Sequence, residues 1–168
     1  ACVFPGQGSQ SVGMLKELAD SYPQIEATFK EASDVLGYDL WDLVQNDTDG
    51  KLNETHITQP ALLTASVATW RVLREQGLDV DYLAGHSLGE YSALVCGGAL
   101  AFTDAVKLVE ARGQFMQEAV PAGAGAMYAI IGLDDNAIAD NLEFFWILVF
   151  ALTCVVGDGL TVCDDAID

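Results

Sequence analysis

The pentapeptide Gly85-His86-Ser87-Leu88-Gly89 constrains the fold of this chain more than any other feature, because of what stands on either side of it. Val80 to Ala84 is a short apolar run of strand type, and Glu90 to Cys96 reads as a helix halted by Gly97-Gly98. A G-x-S-x-G sequence between a strand and a helix is the context a nucleophile elbow requires. The elbow imposes unusual backbone angles on the serine, and glycines on both sides omit the Cβ atoms that would strike strand and helix. Ser87 is the candidate nucleophile on this reading. At a helix N-terminus it has free amide donors and the positive end of the helix dipole beside it, so the Leu88 N–H is the natural first donor to an oxyanion. The residues alone leave hydrolase and transferase both open, with a chance match in a glycine-containing loop as the bland alternative.

The flanking sequence extends the same pattern. Cys2 to Phe4 suits a buried strand that enters a loop, Gly6 to Ser11, after Pro5. Met14, Leu15 and Leu18 recur at helical spacing, as do Ile25, Phe29, Ala32 and Leu36, with Pro23 near the start of the second helix and Gly37 just past its end. Asn46 to Glu54 reads as a loop. Thr58 is expected to cap a long helix from Gln59 to Gln76, and Thr103 to cap another running to about Ala119. Ala126 to Ile131 is strand-like, and a further helix is expected from Asp134. This order of strands and helices predicts an α/β layered fold with a parallel sheet.

Charge excludes several classes of function. Twenty-five acidic against 7 basic side chains give a net charge of −18, which argues against a nucleic-acid partner and against anionic membranes. After Arg112 there is no Lys, Arg or His, while nine Asp or Glu follow, so an anionic substrate must be held upstream. The 13 residues from Phe144 to Val156 are almost all apolar but fall short of the ~20 a bilayer span needs and lack flanking basic residues. They are expected to be a core or misfolded segment. Cys2, Cys96, Cys154 and Cys163 show no metal or disulfide spacing, and no secretory signal is visible, which points to reduced thiols and a cytoplasmic protein.

Three ordered blocks, Phe4-Pro5-Gly6-Gln7-Gly8-Ser9-Gln10, Gln59-Pro60-Ala61 and Gly85-His86-Ser87-Leu88-Gly89-Glu90-Tyr91-Ser92, resemble the signature blocks of the malonyl-CoA:acyl carrier protein transacylase family. Glu110-Ala111-Arg112-Gly113 and Gly125-Ala126-Met127 match at corresponding positions, and the resemblance ends past Asn141. It implies an α/β-hydrolase-like parallel-sheet core over residues 1–122, the opening strand and helix of a ferredoxin-like subdomain over residues 123–141, and an unmatched tail over residues 142–168, so that the fold is incomplete. It implies Ser87 as the catalytic nucleophile, an oxyanion hole built from the N–H groups of Gln7 and Leu88, and Arg112 as the residue that grips the malonyl carboxylate. It also implies malonyl-CoA as substrate, acyl carrier protein as partner, no cofactor and no metal.

Neither histidine suits the role of base on this reading. His86 is next to Ser87 at a sharp turn and points elsewhere, so it reads as an elbow packing residue, while His56 reads as a solvated or capping histidine. In the family the base lies far downstream of the elbow, beyond residue 168, so turnover by this polypeptide is expected to be weak or absent. Two rivals stay open: a serine hydrolase or lipase using the same elbow, against which Arg112 and the Phe-Pro-Gly-Gln-Gly block weigh, and an inactive, partly folded fragment. Among basic groups, only clusters such as Arg71 and Arg74 offer help in docking an anionic carrier.

Overall fold

A computed structural model of the chain describes residues 1–119 and the backbone of two short strands, 153–156 and 159–162. Strand β1 (Cys2–Phe4) leads through the loop into helix α1 (Lys16–Ser21), followed by α2 (Gln24–Leu36), α3 (Leu40–Asn46) and the long α4 (Thr55–Glu75). Strand β2 (Tyr82–Gly85) then gives way to α5 (Leu88–Cys96) and α6 (Phe102–Glu118), with β3 (Thr153–Val156) and β4 (Gly159–Val162) completing the described elements. The expected strand at residues 126–131, the helix from residue 134 and the subdomain boundary at residue 123 lie outside the described residues.

The sheet has the order β1-β2-β3-β4. β1 and β2 are parallel, as the strand–helix alternation predicts, with Phe4 opposite Gly85 at the end of the register. β3 and β4 depart from the prediction: β3 runs antiparallel to β2, and β4 antiparallel to β3. Both belong to the unmatched tail, and β3 is the end of the apolar run expected to be a core or misfolded segment. Thr153 to Val156 is rich in β-branched residues, and only Gly157 and Asp158 separate it from β4 in the sequence, a spacing that suits a hairpin.

Most of the apolar core lies between helices. Ile25, Phe29 and Ala32 of α2, Leu40 and Val44 of α3, and Ala105, Val106 and Val109 of α6 are 0% exposed and close around the buried face of α4. A smaller cluster of Phe4, Leu83 and Ala93 joins the sheet to α5, and Trp70 meets Phe4 edge-on at 6.4 Å between centroids. The helix positions follow from these apolar faces, and the caps adjust to them.

Three local expectations are corrected on that ground. α4 begins at Thr55, not after Thr58, and the Thr58 hydroxyl donates back to the carbonyls of Leu52 at 2.6 Å and Glu54 at 3.1 Å. α6 begins at Phe102, so Thr103 lies inside it; Phe102 is drawn into the helix because it is buried, with the Arg71 guanidinium 4.9 Å over its ring. Residues 12–15 are largely turn, and Leu15 caps α1 in the left-handed conformation at φ 63°. The short α3 escaped the sequence reading altogether, although Asp39 caps it by accepting from the Asp42 N–H at 2.9 Å. Gly37 closes α2 as the sequence predicts, with its N–H on the Ser33 carbonyl.

Arg71 and Arg74 do not form a bare basic patch. Arg71 donates to Glu31 at 2.7 Å and to Thr28 at 3.0 Å, and Arg74 donates to Asp79 and to the Leu78 carbonyl. No helix among the described residues is long and apolar enough to cross a membrane.

Candidate active site

Ser87 stands between β2 and α5, at the N-cap of the helix, with φ 55° and ψ −108°. These angles mirror the ordinary extended conformation, a region closed to most L-residues without strain. Space explains the glycines that flank it. A Cβ at Gly85 would lie 1.9 Å from the Gly89 carbonyl carbon, and one at Gly89 would lie 2.2 Å from the Phe4 carbonyl oxygen. The turn is therefore wedged between its own helix and the end of β1, and only hydrogen atoms fit there.

The loop after β1 bears on the same elbow. The His86 N–H donates to the Phe4 carbonyl at 3.3 Å, and a Cβ at Gly6 would come within 3.0 Å of the His86 ring and carbonyl. Gln7 follows directly in this loop. Its side chain is turned away, donating to the Thr55 hydroxyl at 3.2 Å, and Gln10 donates to Asn53 at 2.8 Å. Two amides thus tie the loop to the start of α4. Leu88 is the first residue of α5 and is 1% exposed, so its N–H stands at the helix N-terminus beside Ser87.

Arg112 arrives from the middle of α6. One guanidinium nitrogen, Nη2, donates to the Ser87 hydroxyl at 3.1 Å, while Nη1 donates to Gln59 Oε1 at 2.7 Å. The Tyr91 ring lies 5.6 Å from the guanidinium carbon. The tertiary structure thereby joins Ser87 and Arg112, 25 residues apart, in direct contact. Close approach of the helices makes this possible, since Gly113 of α6 packs against the backbone of His56 and Thr55 at the start of α4.

The two histidines sit apart from the hydroxyl. His86 is exposed, with its ring beside Gly6, so it packs against the loop from outside and is not enclosed within the elbow. His56 is the second residue of α4 and engages Gln117 through both its backbone N–H and its ring. Among the described residues neither histidine hydrogen-bonds Ser87, and no group of three or more His, Cys, Asp or Glu is placed to hold a metal ion. Burial raises the Glu110 carboxyl above its ordinary range, with His56 acting in the opposite direction, and burial together with Glu110 raises the Tyr38 phenol.

Sequence reasoning singled out Gln59 only as part of a motif, and gave Thr55 no part. A signal was available for Gln59: it is an amide inside the run Ile57-Thr58-Gln59-Pro60-Ala61-Leu62-Leu63, and a polar group on a buried helix face needs a partner.

A serine on a strained strand-to-helix turn, at a helix N-terminus and in contact with a guanidinium, is the arrangement found in proteins of the serine acyltransferase class. The acyl transferase domain model matches residues 1–144, and the chain belongs to that family. The malonyl CoA-acyl carrier protein transacylase of Salmonella typhimurium is 66% identical over 144 residues, covering 85% of this chain and 47% of its own length. The Bacillus subtilis protein of the same name is 51% identical over 138 residues, covering 82% of this chain and 44% of its own. Among solved structures, an acyl carrier protein S-malonyltransferase from Vibrio cholerae matches with a TM-score of 0.78 at 66% identity, covering 83% of this chain and 46% of that one. A malonyl-transacylase solved in complex with its type II polyketide acyl carrier protein matches with a TM-score of 0.79 at 60% identity, covering 84% and 48%. The chain thus spans about half the length of the curated relatives it matches.

Proposed function

We propose that this chain carries the nucleophile and the acid-binding arginine of a malonyl-CoA:acyl carrier protein transacylase. Ser87 attacks the thioester carbonyl of malonyl-CoA. As the tetrahedral intermediate collapses, the C–S bond breaks, CoA leaves as its thiol, and a malonyl ester remains on Ser87. The pantetheine thiol of acyl carrier protein then attacks that ester, takes the malonyl group and returns the serine hydroxyl. The N–H groups of Leu88 and Gln7 hold the oxyanion in each half-reaction. Leu88 has the place at the helix N-terminus that this role needs, and the loop of Gln7 lies against the elbow.

The observation that carries the reading is the 3.1 Å contact between Arg112 and the Ser87 hydroxyl. A malonyl group ends in a carboxylate a few bonds from its thioester carbon, and a guanidinium beside the nucleophile can grip that carboxylate through paired N–H donors. Such a group has nothing to hold in an acetyl donor. The contact also makes the chain's net charge of −18 compatible with an anionic donor, because the cation is local to the reacting atom. The relatives' names, which specify malonyl-CoA and acyl carrier protein, support the same substrate and partner.

Intact mass spectrometry after mixing the chain with malonyl-CoA, and separately with acetyl-CoA, tests the proposal. A malonyl adduct that exceeds the acetyl adduct and disappears in Ser87→Ala is expected. An identical adduct in the Ser87→Ala variant would reject the assignment of the nucleophile, and equal malonyl and acetyl adducts would reject the role of Arg112. Adding reduced pantetheine or water alone to the loaded chain then separates transfer from hydrolysis.

A further inference from the structure

Gln59 is a fully buried amide that contacts Arg112, the hydrogen-bond partner of Ser87, and the reaction itself assigns it no work. It is 0% exposed on the face of α4 that meets α6. Oε1 accepts from Arg112 Nη1 at 2.7 Å, and Nε2 lies 3.2 Å from the sulfur of Met116. Chemistry fixes this orientation: a guanidinium has only donors, so the amide must present its oxygen, which leaves its N–H groups to face the weakly accepting thioether. The guanidinium plane is thus held at Nη1 by Gln59, meets Ser87 through Nη2, and has the Tyr91 ring beside it.

We propose that Gln59 is a positioning residue for Arg112, setting the guanidinium in register with the Ser87 hydroxyl and so determining the preference for a donor that ends in a carboxylate. The inference rests on the transacylase reading. Its physical content is that an amide orients a cation without cancelling it. A carboxylate at position 59 would hold the guanidinium equally well but neutralise it, and an aliphatic side chain would leave the charge but remove this hold. Orientation and charge are therefore separable by substitution.

The full chain carrying Gln59→Leu or Gln59→Glu tests this with two readouts. The first is nitrogen-detected NMR of the Arg112 Nη–H groups, assigned by their loss in Arg112→Lys. Separate, slowly rotating signals are expected in the wild-type chain and in Gln59→Glu, and averaged signals in Gln59→Leu. The second is the ratio of malonyl to acetyl adduct on Ser87, which should fall roughly tenfold to a hundredfold in both variants, the range expected for a hydrogen bond to a charged group. Gln59→Met, close in volume, replaces the leucine variant if that one loses its helical circular dichroism. Averaged wild-type signals, separate signals in the apolar variant, or an unchanged donor ratio in either variant would each overturn the proposal. Absence of donor preference in the wild-type chain would instead overturn the transacylase reading, and the Arg112 signals would still decide whether Gln59 holds the guanidinium.

Discussion

Replacing Ser87 by glycine and, in parallel, by alanine isolates the energy stored in the elbow. Both substitutions remove the hydroxyl and its contact with Arg112, so that loss cancels in the comparison. They differ in what the backbone must do. At φ 55° and ψ −108° an alanine keeps the strain of the serine, whereas glycine occupies the mirror-extended region freely. A residue held in such a region costs about 1–3 kcal/mol. Glycine returns that amount but loses about 0.5–1 kcal/mol through the greater freedom of its unfolded chain. The glycine variant should therefore be the more stable of the two by about 1 kcal/mol. With a urea slope near ~2 kcal/mol per molar, this moves the unfolding midpoint by about half a molar. Paired urea titrations followed by circular dichroism measure it directly. A glycine midpoint at or below that of alanine would show that the turn stores no strain, and the account of why glycines surround Ser87 would lose its energetic basis.

Three further outcomes follow from the described contacts. In Gly113→Ala, the new Cβ would lie 2.5 Å from His56 Cα and 2.8 Å from the Thr55 carbonyl oxygen, so α6 must move away from α4. The overpacking cost of about 1–3 kcal/mol exceeds the helix-propensity gain of about 1 kcal/mol, and both a lower urea midpoint and weaker malonyl loading of Ser87 are expected as Arg112 shifts. Burial raises the Glu110 carboxyl, so its folded form binds a proton more tightly than its unfolded form and wild-type stability falls as pH rises through that raised value. Glu110→Gln removes this titrating group; it should unfold with wild type near pH ~3, below the unfolded carboxyl's value, where folded and unfolded chains both carry it protonated, and be the more stable at pH 7, and equal pH dependence in the two would refute the shift. Burial and the neighbouring Cys2 thiol push the Cys96 thiol up to about 12, with Arg71 opposing. At pH 8 its alkylation by iodoacetamide, located by peptide mass, should be roughly a thousandfold slower than that of an ordinary thiol, and a rate like that of a free cysteine would show the site to be open.

Local chemistry was legible wherever the cause was local. The strand–turn–helix around Ser87, the glycines that the turn needs and the place of Leu88 at the helix start all follow from a few neighbouring residues. So does α2, bounded by Pro23 and Gly37. The starts of α4 and α6 were misplaced for an identifiable reason: Thr58 and Thr103 are good capping residues, but burial of Ile57 and Phe102 draws each helix start past them. A cap contributes about 1 kcal/mol, while burying a large apolar side chain contributes about 1.5–3 kcal/mol, so packing decides. The direction of β3 and β4 was equally out of reach, because alternation of strands and helices carries no information about a hairpin added at the edge.

What the sequence determined by itself is the turn that carries Ser87, since a G-x-S-x-G elbow is built from contiguous residues whose steric demands are written into their side chains. What only the tertiary structure decided is the company Ser87 keeps. Arg112 lies on another helix, and its place beside the hydroxyl depends on Gly113 letting α6 approach α4 and on Gln59, 53 residues earlier in the chain, accepting one of its N–H groups. Such contacts arise from the packing of two helix faces, and a helix face shows which residues are turned inward but not which residue of another helix they will meet.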